Sequence, residues 1–267
     1  MIKQFQNFLE KNNLSKNTIV SYVYTINSFQ KLYKTFNHRT LRQYKCWLIE
    51  NYKPETINVR LQAVNKYLVF IRKEHLRLKF VKIRQKQYVE NVISNGDYVF
   101  LKNALKTNGH AKWYFLIWLL TTTGARISEL LQIKTKHISK GYMDVHSKGG
   151  KARRLYIPKK LCKNLIQWLT KQKIASGYVF KNRKGKQISP RGVASQLKRL
   201  AEKYGLDKTT IYPHSFRHRF AKNFLNKCSD ITLLADLMGH TSIETTRIYL
   251  RRTTCEQQAF IDKIVTW

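Results

Sequence analysis

The stretch Trp113-Tyr114-Phe115-Leu116-Ile117-Trp118-Leu119-Leu120 limits the fold more than any other part of the chain. Eight consecutive apolar or aromatic residues leave no polar face, so a helix built from them must be enclosed on every side by other elements. It is far short of the ~20 apolar residues that span a bilayer, and so it is expected to be the central core helix of a globular domain. Directly after it comes Thr121-Thr122-Thr123-Gly124-Ala125-Arg126-Ile127-Ser128-Glu129-Leu130. Gly124 supplies a turn, and Arg126 and Glu129 stand one helical turn apart. An arginine beside such a core is costly without an anionic partner.

Charge says what the partner of the whole chain is. Lys and Arg number 51 against 15 Asp and Glu, so 51 − 15 gives a net charge of +36 spread from end to end of the 267 residues. Such a chain repels itself unless it meets a polyanion, and nucleic acid is the leading candidate. Apolar residues make up 43% and are interleaved throughout, which places the basic residues on folded elements rather than on a solvated tail. A membrane surface is the other polyanion, but no run of about 18 apolar residues is present. The opening Met1-Ile2-Lys3-Gln4-Phe5-Gln6 lacks the basic and then apolar build of a signal peptide. The expected location is the cytoplasm, with no membrane partner. Cys46, Cys162, Cys228 and Cys255 are far apart without paired ligand spacing, so they read as reduced thiols and no metal is expected.

Two domains of unequal size follow from length and periodicity. Apolar residues recur at helical spacing at Ile2, Phe5, Phe8 and Leu9. They recur again after an N-cap at Ser15 (Ile19, Tyr22, Val23, Ile26, Phe29, Leu32), from Thr40 to about Glu50, and after Pro54 (Ile57, Leu61, Val64, Leu68, Ile71). Four helices predict a compact all-α domain over residues 1–78. Residues 79–92 are crowded with Lys and Arg and lose the periodicity, which predicts a basic linker held by charge alone. The remainder, 93–267, opens at Ser94 and mixes helices with one predicted β-hairpin. In that hairpin Tyr142 and Val145 pair with Leu155, Tyr156 and Ile157 around Lys148-Gly149-Gly150-Lys151. Tyr178-Val179-Phe180 reads as a short strand, and Ser189-Pro190 as a helix start. The fold class is therefore mainly α with a small β-sheet: an N-terminal four-helix domain and a C-terminal mixed α/β domain.

The chemistry concentrates between Tyr212 and Tyr249. A phenol with an ordinary pKa near 10 is a poor nucleophile at neutral pH, so a tyrosine that attacks phosphate needs a base and a ring of cations. His214 and Arg217 share one face of a helix begun at Pro213, and Gly239 ends the helix Ile231–Met238, which leaves His240 at a junction. Thr241 and Glu244 suit a capping box for the helix that carries Tyr249. Ile231 to Leu250 also matches a helix-turn-helix pattern, on which reading Tyr249 is a core or phosphate-contacting phenol.

Taken in order, Thr-Gly-Ala-Arg126-Ile-Ser-Glu-Leu, Ser-Lys148-Gly-Gly-Lys, Pro-His214-Ser-Phe-Arg217-His, Leu-Met-Gly-His240 and Tyr249 resemble the active-site set of the tyrosine recombinases, the Xer and phage-integrase family. The intervals of 26 residues from His214 to His240 and nine from His240 to Tyr249 are similar to that family's. Leu14-Ser15-x-Asn17-Thr18-x-x-x-Tyr22 resembles its core-binding domain, so the likeness spans nearly the whole chain. It implies that the two domains clamp DNA and that Tyr249 attacks the scissile phosphate to form a 3′-phosphotyrosine and release a 5′-hydroxyl. Arg126, Arg217 and His240 would hold the non-bridging oxygens, Lys148 would protonate the leaving oxygen, His214 would take the tyrosine proton, and Glu129 would orient the set. Ser147 stands where the family has a glycine, and Lys151 shares the turn with Lys148, so the acid is one of the two. His218 is a spare imidazole, read as a phosphate or structural contact.

The resemblance further implies strand exchange through a Holliday junction without metal, ATP or other cofactor. Partners would be double-stranded DNA with short inverted repeats and a homo-tetramer, or a hetero-tetramer with a paralogue, coupled by a C-terminal helix after Thr254 bearing Ala259, Phe260 and Ile264. Two other readings remain: a non-catalytic helix-turn-helix protein, and a type IB topoisomerase. The remote pair Arg126 and Lys148 separates the first, since a recognition motif does not require it.

Overall fold

Side-chain caps set where the helices of the first unit begin. In the computed structural model, which describes residues 1–83, 91–146, 152–240, 242–250 and 261–265, α1 is Ile2–Lys11 and α2 is Lys16–Leu32. Ser15 accepts from the Thr18 N–H at the start of α2, as its sequence predicts. The third helix, α3 (His38–Asn51), starts two residues earlier than the apolar spacing indicates, because Asn37 and Thr40 cap each other reciprocally. Pro54 is the first residue of α4 (Pro54–Phe70). Phe5, Leu9, Ile26, Phe29, Leu41, Leu48, Leu61 and Leu68 are enclosed between these helices.

The chain divides into two compact units between Gln85 and Lys86. Charge alone is not what holds the segment after α4: the Lys45 ammonium donates to the Lys79 carbonyl (2.7 Å), and two asparagines add neutral pairings. Asn65 and Asn58 each make a two-way amide pairing with the extended backbone. The Asn65 side chain exchanges hydrogen bonds with Leu78 (2.8 and 2.9 Å), and Asn58 does the same with Val81 (both 2.9 Å). Seven helical residues rise about 10.5 Å, and three extended residues cover about 10 Å, so the two lengths match and the backbone is clipped along α4. Residues 79–83, read from sequence as the start of a charge-held tether, are thus fastened to the first unit. Residues 84–90 lie outside the described residues.

In the second unit Ser94 caps α5 (Asn95–Thr107). The apolar stretch forms α6 (Ala111–Thr123), with Phe115, Leu116, Ile117, Leu119 and Leu120 buried at the centre of the core as expected. Gly124 ends α6 at φ 60°, and a Cβ there would overlap the Phe220 ring. Both facts require glycine. Next come α7 (Ile127–Leu130) and α8 (Thr135–Lys140), then β1 (Tyr142–His146), antiparallel to β2 (Ala152–Tyr156) with Asp144 opposite Arg154. The predicted hairpin is present; its turn, with Lys148 and Lys151, lies outside the described residues. Tyr178-Val179-Phe180 is not a strand: Tyr178 makes one isolated bridge to Lys134.

The remaining helices are α9 (Lys159–Lys171), α10 (Pro190–Lys203), α11 (Pro213–Lys227), α12 (Ile231–Met238) and the four-residue α13 (Glu244–Arg247). Tyr249 lies in the turn beyond α13 rather than on it. The capping partner predicted at Thr241 is outside the described residues, and Ser242 Oγ accepts from the Glu244 N–H instead. Thr254, Cys255, Ala259 and Phe260 are likewise outside them; 261–264 is helical.

Candidate active site

A helix leaves its last four carbonyls without partners, and those oxygens carry the negative end of its dipole. At the end of α12 each one is accounted for. The N–H groups of His240 and Gly239 turn back onto the carbonyls of Ala235 and Asp236 (both 3.0 Å), which Gly239 permits by its left-handed φ of 64°. The next three carbonyls are each taken by a guanidinium: Leu237 by Arg153 (2.6 Å), Met238 by Arg217 (2.7 Å) and Gly239 by Arg126 (3.0 Å). Arg217 also donates to the Gly124 carbonyl (2.5 Å), so it bridges the C-terminal ends of α6 and α12. Three cations from α7's N-terminus, β2 and α11 thereby meet at one place.

Among the described residues one carboxylate answers them, bonded to two of the three. Glu129 accepts from the Arg126 backbone N–H (2.7 Å) and guanidinium (3.0 Å), and from Arg153 (2.6 Å). Three positive groups share one negative group, in a pocket where Arg217 is 3% exposed. Burial, with Arg126 next, pushes the Arg217 guanidinium down to about 10. A further anion would relieve that repulsion, and Arg126, whose side chain is 37% exposed, presents the open edge.

His240 completes the cationic side. Its Nε2 accepts from Arg217 (3.0 Å), because arginine can only donate. The proton therefore sits on Nδ1, which donates to Thr246 Oγ1 (2.7 Å), a hydroxyl wholly enclosed in the fold. Burial, then the charges of Arg217 and Arg126, lowers His240 to about 4.

Tyr249 is 7% exposed in a small apolar cluster with Ala221, Leu234 and Met238. Its hydroxyl is paired with His218 Nδ1 at 2.6 Å, and is the donor in the tautomer that carries its proton on Nε2. Burial raises the phenol to about 12 and lowers His218 to about 4. The phenol's pKa lies far above that of the imidazole it touches, so the resting phenol stays neutral. The structure thus brings Arg126, Glu129, Arg217, His240 and Tyr249 into one site. His214 is exposed and its ring lies 6.2 Å from that of His218, the imidazole that faces the phenol. Lys148 lies outside the described residues. Arg153 and Thr246 are members that the sequence reading did not single out. Among the described residues no cluster of His, Cys, Asp and Glu is fit for a metal ion, and no helix is long and apolar enough to cross a membrane.

Comparison with known proteins finds likenesses over nearly the whole length of the chain. Residues 2–75 match the phage integrase N-terminal SAM-like domain, and residues 91–255 match the phage integrase family. Tyrosine recombinase XerA of Pyrococcus furiosus is 32% identical over 265 residues, covering 95% of this chain and 90% of that protein. Tyrosine recombinase XerC of Rickettsia massiliae is 27% identical, covering 94% and 92%. Among solved structures, the XerH recombinase bound to difH in a pre-cleavage complex has a TM-score of 0.72 at 20% identity, covering all of this chain and 85% of that one. The integrase of transposon Tn1549 with transposon right-end DNA has a TM-score of 0.73 at 15% identity, covering 99% of both.

Proposed function

The chain belongs to the phage integrase family of tyrosine recombinases and is a site-specific DNA strand transferase; from that premise we propose which of its groups perform the reaction and on what assembly. Tyr249 Oη attacks the scissile phosphorus, the bond to the 5′-oxygen breaks, and a 3′-phosphotyrosine and a 5′-hydroxyl result. Attack by the 5′-hydroxyl of the exchanged strand reverses the step and returns the proton to Tyr249. One phosphodiester is conserved throughout, so exchange through a Holliday junction runs near equilibrium.

Arg126, Arg217 and His240 hold the non-bridging oxygens and offset the charge that grows in the pentacovalent transition state. The observation that carries this assignment is the crowding of three guanidiniums around Glu129 at the end of α12, an excess of positive charge that a phosphodiester neutralises. His240 donates to phosphate only when Nε2 carries a proton, so phosphate takes over Nε2's place beside Arg217 and the imidazole, already protonated on Nδ1, takes a second proton from solvent. The phenol proton passes to His218 Nδ1 as the phosphorus–oxygen bond forms and the phenol's acidity rises. His214 is the second imidazole of that row and takes the same role if the Tyr249 turn shifts toward it. Lys148, on the hairpin, protonates the leaving 5′-oxygen.

The assembly that fits this chemistry is a homo-tetramer, or a hetero-tetramer with a paralogue, on two duplexes bearing short inverted repeats, in the cytoplasm. The cations are side chains, so cleavage is expected to proceed in chelator. The test is to mix the purified chain with a pool of duplexes that carry a randomised core and a nick, in EDTA, and to isolate denaturant-resistant protein–DNA adducts. Enrichment of one inverted-repeat sequence is the expected result. A protein that shifts DNA on a gel and forms no adduct with any member of the pool would leave only a DNA-binding module.

A further inference from the structure

Of the three guanidiniums at the end of α12, one has no part in the reaction as laid out above. Arg153 sits on β2, with its side chain 9% exposed. It is held at both ends of its fork, by Glu129 (2.6 Å) and by the Leu237 carbonyl (2.6 Å). Its Nε is buried without a hydrogen-bond partner, and a Cβ on Gly239 would overlap that same atom. Such a group is too enclosed to reach DNA, yet it touches two things that fix the groups which do. Through Glu129 it shares the carboxylate that orients Arg126, and through Leu237 it holds the carbonyl next to the one that Arg217 takes.

A buried cation with an unsatisfied donor is a destabilising choice for a merely structural position, where an apolar side chain of similar volume is often as good or better. Its neighbour makes the contrast plain: Arg154 points to the opposite face of the strand and is paired with Asp144 in solvent. We propose that Arg153 is a positioning residue for strand cleavage, which locks Glu129 and the end of α12 so that Arg126 and Arg217 meet the phosphate in one fixed arrangement. This rests on the assignment of Arg126 and Arg217 to the phosphate oxygens. The arrangement also ties β2, and with it the hairpin, to the helix end that carries His240.

The test measures single-turnover adduct formation on a nicked duplex with either an ordinary phosphodiester or a neutral methylphosphonate at the scissile position. Arg153→Lys keeps the charge but donates from one point instead of a fork. Groups that orient a first ring of ligands are typically worth about 10–100-fold, and a loss of that size is expected on the phosphodiester with DNA affinity unchanged. On the methylphosphonate, which carries no charge for the arginines to offset, the variant should fall within about threefold of the unaltered protein. Arg153→Met, of similar length and without donors, should repeat the pattern, which keeps the test valid if Arg153→Lys does not fold. An equal loss on both linkages would reduce Arg153 to a packing role, and an undiminished rate on the phosphodiester would remove it altogether. Arg126→Ala is the control: if it cleaves normally, the assignment of the phosphate ligands has failed; if it is inactive while Arg153→Lys is normal, only the present inference has.

Discussion

Arg60 of the first unit and Arg217 of the second are both buried, and the two are kept in opposite ways. In the first, Arg60 is 9% exposed and lies over the ring of Tyr52 at 4.2 Å, with Tyr24 at 5.6 Å; its Nη1 has no hydrogen-bond partner. In the second, Arg217 is 3% exposed, and its donors reach two helix-end carbonyls and an imidazole. Aromatic faces stabilise a cation from above without fixing where its donors point. Carbonyls hold it in plane, through its N–H groups, and so aim what remains. The first solution keeps a fold together, and the second builds a site.

That contrast predicts unequal consequences. The largest is at Arg217. A lysine there replaces with one ammonium the fork that serves Gly124 and Met238 through separate nitrogens, and loss of one transition-state donor typically costs about 100–1,000-fold. Arg217→Lys should form adduct slower by that factor while binding the same duplex normally. A loss under about tenfold would put Arg217 in the same class as Arg60.

Next in size is a dependence on pH that belongs to the second unit. His218 and His240 are held near 4 in the folded protein, below the ordinary value of 6.5. Between those values the unfolded chain binds more protons, so stability rises with pH across that window and falls as pH drops from about 6.5 to about 4. For the two histidines together the loss should be on the order of a few kcal/mol. Chemical denaturation at several pH values reads it, and His218→Gln with His240→Gln should flatten the profile. A slope that survives the double substitution would place the titration elsewhere.

Smaller still is the loss of the two asparagine clips. The four bonds are only part-buried, so each is taken at the low end of the usual net contribution of about 0.5–1.5 kcal/mol; Asn58→Ala with Asn65→Ala should then lower stability by roughly 2 kcal/mol in thermal melts, with cleavage at saturating DNA unaltered. Smallest is Arg60→Met, which exchanges stacking for apolar contact and should shift stability by less than about 1 kcal/mol. If it instead abolishes adduct formation at saturating DNA, the distinction between the two arginines collapses.

Much of the site was legible because local chemistry dictated it. Gly124 and Gly239 announced helix ends, and cations close to such ends are the natural partners of the exposed carbonyls. The caps at Ser15, Ser94 and Ser189 placed their helices correctly. Arg153 was hidden in the basic run Arg153-Arg154, where composition cannot separate an inward from an outward residue. The signal was strand alternation: Arg153 shares its face with buried Leu155. Which of His214 and His218 meets the phenol depends on how the turn at 248–250 lies against α11, a tertiary matter that spacing along one helix does not encode. Thr246 was passed over because a hydroxyl near a histidine becomes informative only once its enclosure is seen. The asparagine clips needed two unlike periodicities to be matched, seven residues of helix against three of extended chain.

The most direct test of the whole account is the identity of the amino acid that carries DNA in the trapped adduct. Proteolysis of that adduct and mass spectrometry of the nucleotide-bearing peptide should place the phosphate on Tyr249, and Tyr249→Phe should bind the same duplex and trap nothing. A covalent adduct formed by Tyr249→Phe, or a nucleotide found on another residue of the unaltered chain, would contradict it.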